Sequence, residues 1–283
     1  MLRLGRDIVE AMNEPLARLS EPSRRPDEVV RLARAAVAGC RTLGVLAEAA
    51  RGVLAEQGFV QMRGLPVTSA ASHAVAWACL LGDPYIDPGV GGAVITAHVR
   101  PGQALMGNQL RRLPLHTDYS MLQSPPRLTI SFCVRPDPTP GMGCIDVVDI
   151  ESMLFGLEPA EAFERFRTVP LPFASQSSAD ATDFLETPIL TQLPDRPLLV
   201  RYHRSRIAQG FRQRGVAPDA RQCATMLEFE ELTGRYAQTL HPEAGDLTVI
   251  DNHRCLHGRG RCSVEVDAEG NTVGRQMLFV FAT

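Results

Sequence analysis

The 283-residue chain has a net charge of only −3, with acidic and basic side chains interleaved, so it offers neither a basic stripe for nucleic acid nor an acidic tail. Its 45% hydrophobic and 22% charged content is that of a globular protein with a sizeable core, and no run approaches the roughly 18 apolar residues of a membrane span. Its seven cysteines are odd in number and scattered, without a C-x-x-C pair, and the N-terminus has no signal-peptide core; both point to reduced thiols in a cytoplasmic protein. All 29 basic side chains are arginine, which we attribute to codon usage in a GC-rich genome.

The first sixty residues read as helical. Ile8, Met12, Leu16 and Leu19 form one apolar stripe, which Pro15 is expected to kink or divide. Pro26, followed by Asp27 and Glu28, opens a second helix, and a third spans residues 46–56 and stops at Gly58. Residues 59–66 switch to a short strand closed by Gly64 and Pro66. A further helix is predicted over 69–81, with Val75, Trp77 and Cys79 in the core and His73 structural or at the surface. The glycine-rich loop 89–92 is not a phosphate cradle, because no Gly-Lys-Ser/Thr follows and its flanks read as strand.

Residues 93–99 and 103–108 are predicted strands leading into Leu113-Pro114-Leu115-His116-Thr117-Asp118-Tyr119-Ser120. Residues 126–134 form a buried strand and 144–149 another, with Asp146 and Asp149 as solvated strand-end carboxylates. Short helices are predicted over 151–157 and 159–166. The polar, aperiodic segment 173–187 is expected to be an active-site lid. Residues 189–192 and 198–202 pair around the turn 194–197. Residues 218–240 read as one long amphipathic helix, and 247–251 and 275–282 as the last strands. Many short strands without β-α-β alternation, behind a helical front, indicate a mainly β jelly-roll or barrel with helical decoration. We expect one domain over 1–283, with a helical N-terminal extension (1–57) and a jelly-roll core (58–283).

The chemistry begins at His116-Thr117-Asp118. Residues two apart share one face of an extended strand, so an imidazole and a carboxylate can face one ion together. With a later histidine they would form a triad of two histidines and one carboxylate, the pattern of non-haem Fe(II) oxygenases. The later histidine lies in Asp251-Asn252-His253-Arg254-Cys255-Leu256-His257-Gly258-Arg259, and an arginine, Arg275, opens the final apolar strand. Asp251 and Asn252 are expected to bond turn backbone. His203 sits in the polar cluster Arg201-Tyr202-His203-Arg204-Ser205-Arg206, which can line a substrate pocket.

From about Gly58 to the C-terminus, these three pieces in this order resemble the Fe(II)/2-oxoglutarate-dependent oxygenases of the taurine dioxygenase and clavaminate synthase-like family. The resemblance implies a double-stranded β-helix core and makes His116, Asp118 and His257 the catalytic iron ligands, with His253 the rival for His257. It implies that Arg275 clamps the distal carboxylate of 2-oxoglutarate, the co-substrate; Arg259 is the alternative clamp and Arg254 a structural salt-bridge partner. O2 takes the remaining coordination site.

The sequence departs from the family pattern twice. Cys144, in Gly141-Met142-Gly143-Cys144, stands where members often carry a threonine that helps hold 2-oxoglutarate. Phe279 stands where some members place a second arginine, which favours a larger or more apolar substrate. Arg201, His203 and Phe279 are therefore the predicted substrate contacts. Asp118 argues against the halogenating variant, which replaces this carboxylate with a small residue.

The implied reaction is hydroxylation, desaturation, epoxidation or cyclisation at an unactivated C–H bond of a small amino-acid-like or natural-product substrate, in a biosynthetic tailoring step. Succinate and CO2 are the co-products. The partner is then a small molecule alone, with no nucleic acid and no membrane. Two other classes stay open: a metal-dependent hydrolase with zinc on the same three residues, and a non-catalytic jelly-roll binding protein.

Overall fold

The architecture follows from alternation along a few strands, seen here in a computed structural model that describes residues 2–16, 25–103, 105–155, 160–174, 184–193 and 196–283. Four helices come first: α1 (Arg6–Leu16), α2 (Pro26–Ala38), α3 (Arg41–Gln57) and α4 (Ala70–Leu81). Pro15 does not divide α1, because it falls at the penultimate position, and the Ala11 carbonyl that it leaves without a backbone donor lies 3.8 Å from Cys40 Sγ. Leu19, the end of the expected stripe, lies outside the described residues. Gly58 ends α3 with φ 73°, a left-handed conformation suited to glycine, and turns the chain into β1 (Phe59–Arg63).

The other core strands are β2 (Ile95–His98), β3 (Leu113–His116), β4 (Leu128–Arg135), β5 (Ile145–Asp149), β6 (Leu247–Asp251), β7 (Cys255–Arg259) and β8 (Gln276–Ala282). They form two sheets. In the larger, the order is β1-β6-β4-β8, with β2 and Pro84–Tyr85 pairing the far edge of β8 and Leu2–Arg3 pairing β1. The smaller runs Gln238–Leu240, β5, β7, β3. This is the expected mainly β, jelly-roll core of double-stranded β-helix type.

Period-2 alternation gives each sheet two distinct faces. Leu128, Ile130 and Phe132 of β4, with Leu247, Val249, Leu278 and Val280, face outward into a core shared with α1–α4. Leu256 of β7 and Val148 of β5 face outward from the smaller sheet, into a second core. That core packs α5 (Ile150–Phe155), α6 (Ala160–Thr168), α7 (Arg204–Gln213), α8 (Ala220–Tyr236) and two antiparallel pairs, Leu171–Ala174 with Phe184–Thr187 and Leu190–Leu193 with Arg196–Val200. The opposite faces meet: Phe59, Ile145, Val147, Ile250 and Met277 close one end of the space between the sheets. The remaining inward residues surround a cavity.

The structure corrects several expected elements. The described residues of 103–108 form no strand; Met106–Asn108 is a single 3-10 turn, because the Asn108 side chain accepts from the His98 N–H and its carbonyl from the Arg100 N–H, folding the segment back. α8 is shorter than 218–240. A capping box between Asp219 and Gln222 starts it, and residues 238–240 leave it to pair with β5 as an edge strand. α7, read as a polar cluster, is a helix whose buried stripe is little more than Ile207 and Phe211. Asp146 and Asp149 are buried, not solvated: Asp146 pairs with Arg112 and Thr239, Asp149 with Arg254 and Ser152. The segment expected as a lid, 173–187, begins and ends in paired strands, and its middle, 175–183, lies outside the described residues. No helix among the described residues is long and apolar enough to cross a membrane.

Candidate metal centre

β3 and β7 are adjacent antiparallel strands, and their register sets His116 directly opposite His257. Close approach is possible because position 258 is glycine. A Cβ there would lie 2.9 Å from the Leu113 carbonyl oxygen and 3.2 Å from the Leu115 nitrogen. The two imidazole centroids are 4.5 Å apart.

Asp118 does not share a strand with His116, since β3 ends at His116. It is carried to the same point by a turn. The Thr117 N–H donates to the Tyr202 carbonyl at 2.7 Å, and the Asp118 N–H to Asn252 Oδ1 at 2.7 Å. Asn252 Nδ2 donates back to the carbonyls of Asp118 (3.1 Å) and Pro126 (2.9 Å), so this one buried amide fixes the turn. Tyr119 follows with φ 53°, the sole non-glycine residue at positive φ among the described residues. Its hydroxyl donates to Asp87 at 2.7 Å and its ring packs on Phe281 and Tyr85.

The carboxylate then stands between the two rings. Asp118 Oδ2 is 3.1 Å from His257 Nε2, Oδ1 is 3.7 Å from His116 Nε2, and Thr129 Oγ1 donates to Oδ2 at 2.8 Å. Burial pushes the Asp118 carboxyl up, but the imidazoles of His257 and His116 outweigh it and hold it well below the usual carboxylate range. One ligand atom from each of the three residues lies within 4.8 Å of the others.

The donor set fits a divalent metal. His116 Nδ1 lies 2.9 Å from the Pro114 carbonyl and donates to it, which leaves Nε2 as the ring nitrogen available to a metal. Nε2 faces the Asp118 carboxylate, and a divalent ion between them can be bound by the imidazole nitrogen and the carboxylate oxygen together. His203, whose ring packs edge-on against His116 at 4.9 Å, has its pKa pushed down to about 3, chiefly by burial.

The triad opens on a cavity of about 310 Å³ between the sheets. Its walls include Thr129 and Ser131 of β4, Ile250 of β6, Phe279 and Phe281 of β8, and His203 and Arg206 from α7 and the residue before it. Arg275 lines it too, only 3% exposed, with no hydrogen bond or ion pair to any described residue. Its side chain lies in a notch at Gly143, where a Cβ would come within 2.8 Å of Arg275 Cδ. Asp137, on the far side of Gly143, acts on it without forming an ion pair, its carboxylate being bonded to Ser263; a buried guanidinium without an ion pair is unfavourable, and burial lowers its pKa. It fits a carboxylate ligand such as the distal end of 2-oxoglutarate.

The other predicted contacts divide. His203 and Phe279 reach the cavity. Arg201 does not; its guanidinium donates to the carbonyls of Ser120, Leu122 and Gln123, bracing the turn beyond Asp118. Arg259 touches the cavity, but its fork is taken by the carbonyls of Gly107, Gln109 and Arg111, which leaves no face for an acid. Cys144 lies outside the cavity, its Sγ packed where a Cβ on Gly260 would be. His253 is turned away, with Nε2 2.9 Å from the Pro125 carbonyl. Arg254 is the expected structural partner, bonded to Asp149 and to the end of α3.

Sequence reasoning missed Thr129 and Ser131, which were visible as polar residues alternating with Leu128, Ile130 and Phe132. Arg206 belonged to the polar cluster read as a pocket lining but was not singled out from it.

A jelly-roll with two histidines and one aspartate at the mouth of an inter-sheet cavity defines a non-haem iron dioxygenase, the 2-oxoglutarate-dependent class. Residues 41–275 match the taurine catabolism dioxygenase TauD, TfdA family, and the chain belongs to that family. No curated protein matches the sequence. Among solved structures, the chain is similar to asparagine oxygenase in complex with Fe(II), 2S,3S-3-hydroxyasparagine and succinate. The TM-score is 0.82 at 20% identity, covering 99% of this chain and 92% of that one. It is also similar to the non-heme iron oxygenase OrfP in complex with Fe, succinate and (3S)-hydroxy-L-Arg. There the TM-score is 0.78 at 15% identity, covering 100% of this chain and 93% of that one. These likenesses show the shared fold.

Proposed function

We propose that His116, Asp118 and His257 hold ferrous iron, that Arg275 seats the distal carboxylate of 2-oxoglutarate, and that the oxidised substrate is an amino acid or amino-acid-like small molecule. Bound iron, 2-oxoglutarate and O2 supply oxidation of an unactivated C–H bond, with succinate and CO2 as co-products. Hydroxylation is the outcome we favour, in keeping with the hydroxylated amino acids bound in the asparagine oxygenase and OrfP structures.

The observation that carries this reading is the unpaired Arg275 in the same cavity as the triad. A zinc hydrolase would use the three ligands but would have no need of a buried guanidinium beside them. The chain's own contribution is placement. Asn252, Arg201 and Thr129 hold Asp118 against the histidines, and Ile250, Phe279 and Phe281 keep the reacting space apolar. We take the chain to work as one cytoplasmic domain, with a small molecule as its partner and neither nucleic acid nor membrane involved.

The test is anaerobic addition of Fe(II) and 2-oxoglutarate. A visible charge-transfer band is expected in the wild type and should vanish in Asp118→Ala. No band in the wild-type protein would overturn the assignment. Incubation with amino acids in air should then give succinate and a product bearing one more oxygen atom.

A further inference from the structure

The cavity holds more positive charge than 2-oxoglutarate accounts for. Three guanidiniums line it, and Asp118, already committed to the histidines, is the one carboxylate among its described lining residues. Arg259 is satisfied by backbone carbonyls. Arg275 takes the distal carboxylate of 2-oxoglutarate on the reading above, and the keto-acid end belongs at the metal. Arg206 is left over.

Its neighbours sharpen the contrast. At the start of the same helix Arg204 pairs with Glu230 at 2.9 Å, and just past its end Arg214 pairs with Glu186 at 3.0 Å. Arg206 alone of these three faces the cavity, and its Nη1 is buried without a hydrogen-bond partner. It lies three residues beyond His203, about 4.5 Å along the helix axis. Because the His203 ring packs on His116, this end of α7 stands beside the metal ligands. The inward position on the last strand that could have carried a cation is Phe279.

We infer that Arg206 forms a substrate subsite for a carboxylate, with the remainder of the substrate lying over the apolar wall that includes Phe279. A planar guanidinium with a free, partly desolvated edge binds a carboxylate through paired N–H donors, which fixes orientation as well as affinity. An acid held there from α7, beside a cofactor held from β8, would reach the triad from a different wall. This inference rests on the proposed oxygenase reading and extends it to the substrate's charge.

The test uses the protein loaded anaerobically with Fe(II) and 2-oxoglutarate. The probes are the proteinogenic L-amino acids and their primary α-amides, each with a free or an acetylated amino group. Thermal shift ranks them, and calorimetry follows on the best pair. At least one acid should bind about tenfold or more tightly than its amide, the worth of one charge-assisted contact. The margin should disappear in R206M and survive, reduced, in R206K, while R206M keeps the charge-transfer band that shows a folded, loaded site. If no acid exceeds its amide in the wild type, or if the margin persists in R206M, the inference fails. An absent band in the wild type would instead remove the oxygenase reading beneath it.

Discussion

His116 and His257, far apart in the chain, occupy directly paired positions on adjacent antiparallel strands, with ring centroids 4.5 Å apart. Two of the three members of the candidate metal site are therefore placed by strand register. The spacing between β3 and β7 sets the distance between the two imidazoles, and Gly258 sets that spacing.

Gly258→Ala tests this directly. The new Cβ would meet the Leu113 carbonyl oxygen at 2.9 Å and the Leu115 nitrogen at 3.2 Å, both rigid backbone, so β3 must move outward. We expect a loss of about 1–3 kcal/mol in stability, as for other overpacked sites. Metal affinity should drop by at least about tenfold, the scale seen when ligand positioning is disturbed. Denaturant titration and competition with a metallochromic chelator measure the two. Wild-type metal affinity in this variant would show that the pairing does not control the site.

Arg275→Met separates binding from stability. Arg275 is buried without a partner, so removing its charge relieves a desolvation cost without breaking an ion pair. The cofactor-free variant should melt at the wild-type temperature or above it, yet show no charge-transfer band with Fe(II) and 2-oxoglutarate. A marked fall in melting temperature would mean that Arg275 has a structural partner the cavity does not reveal.

The candidate triad was legible because its spacing survives any loop geometry: His-x-Asp needs only a local turn, and His257 only a facing strand. The reason first assigned to that spacing was incomplete, since β3 stops at His116 and Asn252 bends the chain to deliver Asp118. The strands at 126–134, 144–149, 247–251 and 275–282 were legible as apolar runs, whereas 238–240 was read as the end of a helix; reading 126–134 as uniformly buried hid the inward face formed by Thr129 and Ser131. The arginines of residues 201–206 could not be told apart in the sequence. Arg201, Arg204 and Arg206 alternate along one polar segment, and only their tertiary neighbours distinguish them. The first meets carbonyls, the second meets Glu230, and the third meets the cavity. Cys144 and Arg259 failed for the same reason, because a side chain's chemistry says nothing about where its strand turns it.

Asn252 is the most economical target for the aspartate's position. Its amide makes three hydrogen bonds, two of them to the backbone of Asp118, and is buried. Asn252→Ala strands two carbonyls and one N–H, at about 1–3 kcal/mol for each group left unsatisfied. We expect a loss of about 3 kcal/mol or more in stability, and ferrous binding weakened even at temperatures where the variant is fully folded. If binding is unchanged while stability falls, Asn252 supports the fold but does not place the ligand.

The acid limb of the stability curve should carry the signature of His73, buried in α4 well away from the cavity. Burial pushes its pKa from 6.5 down to about 4, and its Nε2 lies 3.0 Å from Asn13 Oδ1, which fixes the neutral tautomer. Between these two values the unfolded chain takes up a proton that the native state refuses, so stability falls as pH drops from about 6.5 to about 4. The loss attributable to this one residue is about 3 kcal/mol over the window, at 1.36 kcal/mol per unit. His73→Gln can donate the same hydrogen bond to Asn13 without titrating. Its packing offset is constant with pH and cancels in the comparison. Urea denaturation of both proteins across this window should show the variant's stability falling less steeply, by about that amount. Parallel curves would mean that His73 is protonated in the native state as readily as in the unfolded one.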